Sequence, residues 1–580
     1  MNRFLFLRWA LAALASLGAL LPARAQTFTA DWAITCGSGP STLPYYWGPV
    51  SLAADAQGNT YVIGDFQGTT TLGTTTLTAV QAAPGNIRAF DTFLAKLNAQ
   101  GQYQWAVQLG DGQSARALQV AVDNIGNVYL TGRFNSYSMQ VGAGGPVLYN
   151  SSADYEGFIG SFSALDGHCQ WARRFGSTAT DAGQLLTTNA AGEVYLVASI
   201  QGRAADFGPF TLPAISPSYQ DRGVLAKLSA SGTWLWAQVI GTGTGFSQTY
   251  LYTLALDGVG GLYLTGSFAS NLTVGTSSLS VNPLADGSPG YDVLVAKYTE
   301  AGRPLWAVQG DANNQTAGEG AVYDGQGHLY VAGRYTKQQM RLGSFVLPNA
   351  SLALPPLNPP PTNPYTRYYS DGFLARLDTT SRSWQWAVRR GGDYDDSFGV
   401  VGLAAGGRLL VSYGDGTTNQ GFLLEPNLTT GAMGPGYILN AYPSILQFSG
   451  LQASAQGRFY AFGRFTGLTA TVGGQALTGT SGTNTGFMAR LGTQVLATQA
   501  PGQASQGLHA WPTPSSGTGV WVQGAQAGQA VEVLDMLGRR VGGGTMPGSG
   551  PLRLSWPGAG LAPGVYVVRS GERSTRWVVE

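Results

Sequence analysis

The densest acidic stretch of the chain is "GGDYDDSFG", which brings Asp393, Asp395 and Asp396 together. Carboxylate oxygens are what a hard cation such as Ca²⁺ takes, so this trio is the metal candidate. Its spacing departs from Asp-x-Asp-x-Asp-Gly, however, which favours solvated loop charge over a cation site. Histidine is scarce, with 3 residues in 580. His328 takes a turn position filled by Asn59, Asn127, Glu193 and Gly261 in related segments, His168 falls in another turn, and His509 precedes a C-terminal segment. His-Glu-x-x-His, Gly-x-Ser-x-Gly and a phosphate loop ending in Gly-Lys-Ser/Thr are all missing from the sequence. Lys96, Lys227 and Lys297 share one repeat position with Arg376 and Arg490, the mark of an architectural residue. No catalytic residue and no cofactor-binding residue is assigned. Two carboxylates meeting across the scaffold would still suffice for glycoside hydrolysis, which keeps an enzyme among the readings.

A second chemistry is aromatic. "STLPYYWGPV" carries Tyr45, Tyr46 and Trp47, and the Pro-rich "PNASLALPPLNPPPTNPYTRYYS" carries Tyr365, Tyr368 and Tyr369. Flat rings on long loops suit sugar rings or protein surfaces, and these six form the candidate ligand face. The competing reading is that they pack their own loops.

Composition narrows the partners. Only 11% of the residues are charged and the formal net charge is +1, against about 25% charged in an average soluble domain. Without a basic block there is nothing to neutralise phosphates, so nucleic acid is not an expected partner. Gly (84 residues) and aromatics (11%) stand in for charge. With Thr and Ser they suit short strands and tight turns, not helices. Residues 1–25 read as a signal peptide: Arg3 and Arg8, the apolar "WALAALASLGALL", and "ARA" before Gln26. That apolar core is too short to span a bilayer, and no later stretch is long and apolar enough, so no transmembrane segment is expected.

The elements that position these residues repeat. A Gly-x-x-Tyr core recurs at Tyr61, Tyr129, Tyr195, Tyr263, Tyr330, Leu410 and Tyr460, with most steps between 66 and 68 residues, one of 80 and one of 50. Each unit reads as four strands. Strand a ("ALQVAVD") meets strand b ("NVYLTGRF") through an Asp-x-x-Gly turn, in which Asp accepts backbone N–H groups and Gly tolerates a positive φ. Strand c ("DTFLAKL") leads through a second short turn to strand d, which carries Trp-Ala, as in "YQWAVQLG". Between b and c, six units insert an apolar-Gly-x-x-x-Leu element, read as a short β-arm; the sixth unit lacks it.

The N-terminal "ADWAITCG" is a strand d with no a, b or c before it, while unit 7 ends at strand c, "TGFMARLG". Each end supplies what the other lacks. The expectation is an all-β, seven-bladed β-propeller over residues 27–491, closed by N- and C-terminal strands in one blade, in preference to an open, capped solenoid. Cys36 and Cys169 then fall in blades that are not neighbours, beyond the ~7 Å a disulfide requires, and are expected as free thiols. The a–b and c–d turns occupy one face; the long d–a and b–c connections, with the aromatics and Asp393–Asp396, occupy the other.

The units, with "AVDNIGNVYLTGRF", "DTFLAKLNAQG" and "WAVQLG", resemble the bacterial β-propeller repeats known as SBBP, although unit 6 lacks the Tyr, the Asp and the Trp. That resemblance implies a propeller and an extracellular location, without a defined ligand. After a linker at 492–508, residues 509–580 resemble the type A sorting domain of the type IX secretion system. The resemblance rests on "WPTPSSGTGVWV", "VEVLDMLGRRV" and "LAPGVYVVRSGERSTRWVVE", with Pro512, Pro514, Gly517, Asp535, Gly538, Arg539, Gly564 and Tyr566 as the motif. It implies that the type IX machinery reads this module as a partner and exports the protein. The alternating strands of the module suggest a small Ig-like β-sandwich. The function read from the sequence is a secreted or outer-surface propeller that binds a glycan or protein ligand, as an adhesion module. The alternatives are an extracellular polysaccharide-degrading enzyme and a ligand-free spacer.

Overall fold

The structure is a computed structural model. It describes residues 29–40, 48–66, 68–79, 91–110, 115–151, 154–201, 204–213, 221–242, 249–281, 290–314, 317–336, 338–350, 369–392, 394–404, 407–415, 420–438, 445–454, 458–479, 483–492, 509–511, 519–523, 527–535, 539–547, 552–556, 561–562, 564–570 and 573–579. The chain divides into two compact units, Met1–Thr493 and Gln494–Glu580. Among the described residues both are all-β, and no helix is long and apolar enough to cross a membrane.

In the larger unit, each repeat forms an antiparallel meander in the order a-b-c-d. Repeat 1 comprises Gly48–Ala54, Thr60–Phe66, Asp91–Leu97 and Tyr103–Gly110. Repeats 2 to 6 follow the same order, with a strands Ala115–Val122, Asp181–Thr188, Thr249–Leu256, Ala317–Tyr323 and Ser397–Ala404. In repeat 7, Ile445–Ala453, Phe459–Thr466 and Thr483–Leu491 are joined by the N-terminal strand Ala30–Pro40 as the d strand. That strand runs antiparallel to Thr483–Leu491, with Trp32 opposite Arg490 and Thr35 opposite Phe487. Among the described residues no sheet closes on itself. The a strands instead touch one another in succession, and that of repeat 7 touches that of repeat 1.

Strand b is apolar on both faces because neighbouring sheets cover both. Tyr61, Tyr129, Tyr195, Tyr263, Tyr330 and Tyr460 are all at most 1% exposed, and Leu410 fills the same place at 0%. The Asp-x-x-Gly turns work as expected. Asp55 accepts N–H bonds from Gln57 and Asn59, the Asn59 amide and the Tyr61 hydroxyl, while Gly58 sits at φ +83°. Asn59 and Asn127 donate to the turn carboxylate, and His328 does the same to Asp324 at 2.7 Å. In repeat 4, with Gly261 at that place, Lys297 reaches Asp257 at 3.1 Å. The residue type changes and the contact persists.

At four of the seven junctions the Trp of strand d bonds to the next sheet through its indole N–H, whereas the Trp236 indole N–H of repeat 3 has no partner among the described residues and strand d of repeat 6 has no Trp. Trp32 Nε1 donates to Ala99 O at 3.2 Å, Trp105 to Ala164 O at 3.3 Å, Trp171 to Ala230 O at 2.9 Å and Trp386 to Leu428 O at 3.0 Å, each in the c–d turn of the following repeat. The indole lies on a left-handed glycine of that turn: a Cβ on Gly101 (φ +78°) would stand 2.6 Å from the Trp32 ring. The arms form hairpins in six repeats, such as Thr69–Leu72 with Thr75–Thr78. The arms of repeats 2 and 5 also pair with strand d of the preceding repeat, as Gln140 does opposite Gly110 and Arg341 opposite Asp311, and those of repeats 3 and 4 bridge to Gly176 and Thr242 just beyond the end of that strand. They cover an edge that would otherwise be open. Cys36 is buried and Cys169 half-buried, and both are free.

The smaller unit holds the sheets His509–Trp511, Gly519–Gln523, Leu552–Ser555 and Arg540–Thr545, Ala530–Leu534, Gly564–Ser570, Arg573–Val579. They share one apolar core around Trp577, which is 0% exposed and stacks on Trp556 at 5.4 Å.

Candidate functional site

Every a strand carries a β-bulge at nearly the same place. Register breaks fall between Pro49 and Ser51, Ala117 and Gln119, Gly183 and Leu185, Leu251 and Thr253, Gly318 and Gly320, Phe398 and Val401, and Phe448 and Gly450. A bulge leaves one residue unpaired, bends its strand and re-aims a side chain. The extra residues are Val50, Leu118, Gln184, Tyr252, Glu319, one of Gly399 and Val400, and Ser449. They lie near the start of each strand, at the end of the channel that belongs to the long d–a and b–c connections.

The sequence carried a signal for these bulges that its strand pattern did not exploit. Strand b holds a Gly where the bulged backbone presses on it: a Cβ on Gly132 would be 1.9 Å from Arg116 O, and one on Gly266 would be 2.0 Å from Tyr250 O. An isolated Gly inside a strand marks a bulge or a close backbone approach. In repeat 3 the Gly lies on strand a instead, with Gly183 opposite Ala198.

The a strands enclose a cavity of about 490 Å³, with Val50, Gln119, Tyr252, Glu319, Val400 and Gln452 in its lining. Glu319 is the single carboxylate among the described lining residues. Arg334 Nε holds its Oε1 at 2.9 Å. Burial raises the Glu319 carboxyl above the usual carboxylate range, and the Arg334 charge opposes that shift. Tyr252, from the preceding repeat, has 42% of its surface exposed. Its hydroxyl end is crowded, so burial and then the Glu319 charge raise the phenol, against Arg334. Nearby, Tyr250 and Tyr291 place their rings 5.8 Å apart. Burial pushes the Tyr250 phenol up to about 12. None of these tyrosines was singled out from the sequence, since no repeat position marks them.

Of the aromatic face read from the sequence, Tyr45, Tyr46, Trp47, Tyr365 and Tyr368 lie outside the described residues. Tyr369 is half-buried and its ring lies 5.7 Å from that of Tyr394, which is 49% exposed. Asp393 is also outside them. Solvated loop charge is the wrong description of Asp396, which is 1% exposed and accepts bonds from Gly392 N (2.8 Å) and the Tyr413 hydroxyl (2.9 Å). Asp395 is exposed and accepts from Ser370 N and Oγ at 2.9 and 3.1 Å. These carboxylates fasten loop to strand, and no group of metal-ligating residues occurs among the described residues.

In the smaller unit, Asp535 caps a turn by accepting Arg539 N at 2.9 Å and pairing with its guanidinium at 2.7 Å. The Tyr566 hydroxyl donates to Ala562 O at 2.8 Å while its ring packs on Trp577. Gly564 opens a strand. Pro512, Pro514, Gly517 and Gly538 lie outside the described residues.

No protein-family profile matches the chain, and no curated protein does. Solved structures similar to it include quinohemoprotein alcohol dehydrogenase from Comamonas testosteroni, at 13% identity over 86% of this chain and 81% of that one, with a TM-score of 0.36. The β-propeller domain of the Trilobed protease from Pyrococcus furiosus is 7% identical over 75% and 96%, with a TM-score of 0.37. The polysaccharide lyase Uly1 is 9% identical over 82% and 95%, with a TM-score of 0.41. At such identities and scores the functional reading rests on this chain's own geometry.

Proposed function

We propose that residues 27–491 form a seven-bladed β-propeller, secreted or held at the outer cell surface, that binds a glycan or protein ligand on the face of its long connections. Residues 492–508 are the linker, and 509–580 are the module that the type IX machinery reads. The observation that carries the binding reading is the repeated bulge. The scaffold sets an irregular residue at the same end of each inner strand, where identical sheets would otherwise present a plain ladder. Such irregularities recur beside binding and catalytic sites. The lining supports binding over hydrolysis, because acid–base cleavage of a glycosidic bond needs two carboxylates and the described lining offers Glu319 alone.

The test is a panel of polysaccharides presented to the mature chain, residues 26–580, scored for retention and for released product. Retention without product is the expected result; product release would move the chain to the enzyme reading. In the source cell, deletion of 509–580 is expected to abolish display or release of the propeller, and undiminished export would contradict the sorting assignment.

A further inference from the structure

Around the channel, the one bulge that carries an aromatic ring and the one that carries an acid belong to consecutive repeats, Tyr252 in repeat 4 and Glu319 in repeat 5. Both line the 490 Å³ cavity, a volume within the ~300–1,000 Å³ of small-molecule sites. The pairing of Glu319 with Arg334 leaves this seam without net charge and spends one carboxylate oxygen; the other has no partner among the described residues. Gln119 lines the same cavity from repeat 2, and its carboxamide makes no hydrogen bond among the described residues. The ring of Tyr252 is open to the cavity side of the wall, at 42% exposure.

An aromatic face, one available carboxylate oxygen and one available carboxamide, with no uncompensated charge, match a neutral polyhydroxylated ring. Its C–H face stacks on an aromatic side chain. Its hydroxyls donate to carboxylate and amide oxygens and accept from the amide N–H. An ammonium ion would find the carboxylate already paired, and an anion inside the cavity would meet Glu319, since Arg334 is not among its lining residues. We propose that the channel mouth at the seam of repeats 4 and 5 takes one uncharged sugar ring of a glycan, stacked on Tyr252 and hydrogen-bonded by Glu319, with the Gln119 carboxamide of repeat 2 offering a further polar contact in the same cavity. This rests on the binding reading of the long-connection face and narrows it to a site.

The experiment is calorimetric titration of the mature chain, residues 26–580, with neutral hexasaccharides of glucose, xylose and mannose. Oligogalacturonate serves as the anionic probe and spermidine as the cationic one. A neutral hexasaccharide is expected to bind. Tyr252→Ala and Glu319→Gln are each expected to weaken it at least tenfold, Tyr252→Phe to keep most of the affinity, and Leu165→Ala on the opposite face to leave it unchanged. Equal melting temperatures exclude misfolding as the cause, and the Phe variant tests stacking in a conservatively altered chain. Preference for oligogalacturonate or spermidine, or neutral binding indifferent to Tyr252→Ala, would overturn the proposal. Binding lost in Tyr394→Ala but intact in Tyr252→Ala would keep the loop-face reading and overturn this one. No binding by any probe would overturn this proposal and leave only the protein-ligand form of the binding reading.

Discussion

Single residues in this chain are chosen for contacts more than for identity. The turn carboxylate finds a donor in Asn59, Asn127, His328 or Lys297. In repeat 3 the roles invert: Asn189 donates to Glu193, and the Tyr195 hydroxyl donates to Glu300 of the next repeat at 2.6 Å. That is why His328 was legible as a turn residue, and why the buried role of Asp396 was not: its partner Tyr413 lies on a strand 17 residues away. Asp181 gives a prediction at this scale. It is 0% exposed and accepts bonds from Ser177 and Gln201. Burial, opposed by those donors, pushes its carboxyl up to about 6 from 3.8. The folded state therefore binds more protons than the unfolded state between these values. The contribution of Asp181 is fully present below about pH 4 and is lost as pH rises through 6. Relative to Asp181→Asn, the native chain is expected to lose stability across pH 4–6, with a slope no steeper than about 1.4 kcal/mol per pH unit. Paired denaturant titrations at several pH values measure it, and a difference flat from pH 3.5 to 7 would contradict it.

At the scale of elements, the four strands, their turns and the six arms were legible because hydrophobic period, Asp-x-x-Gly and Trp-Ala all recur. What was not legible is how one repeat grips the next, since that contact joins segments about 60 residues apart, as Trp105 and Ala164 do. The c–d turn shows the consequence. Gly101 combines a left-handed φ with an indole against its Cα hydrogens. Gly101→Ala is expected to destabilise by about 2–5 kcal/mol, the sum of the left-handed penalty and an overpacked contact. Arg382 holds the same turn position in repeat 5 at φ +58° and rests its guanidinium over Trp306, 5.7 Å from the ring centroid. Arg382→Gly is therefore expected to be far milder, within about 1 kcal/mol of neutral. Chemical denaturation of both variants measures the contrast, and similar losses would refute the latch. The bulges were the larger omission. Gly132 and Gly266 stood in the sequence as their signal, yet beside buried small residues such as Thr131, Thr265 and Ser267 a glycine reads as mere small packing.

At the scale of the molecule, the pairing of Ala30–Pro40 with Thr483–Leu491 was legible in the sequence, because the first reads as a d strand without its a, b and c and the last repeat reads as lacking one. The structure pairs them, and Trp32 also reaches into repeat 1 through Ala99. The N-terminal strand thus joins the last repeat to the first, and the channel mouth with its bulges depends on that junction. Ile34 lies opposite Met488 across this pair, and facing residues of an antiparallel pair have Cα atoms about 4.5–5.5 Å apart, within disulfide range. The direct measurement is mild oxidation of Ile34→Cys/Met488→Cys, built on Cys36→Ala/Cys169→Ala, followed by proteolysis and mass spectrometry. A disulfide joining the two peptides within one chain is the predicted result. Two separately alkylated thiols in the folded monomer, or a bond formed only between two chains, would contradict the closed arrangement.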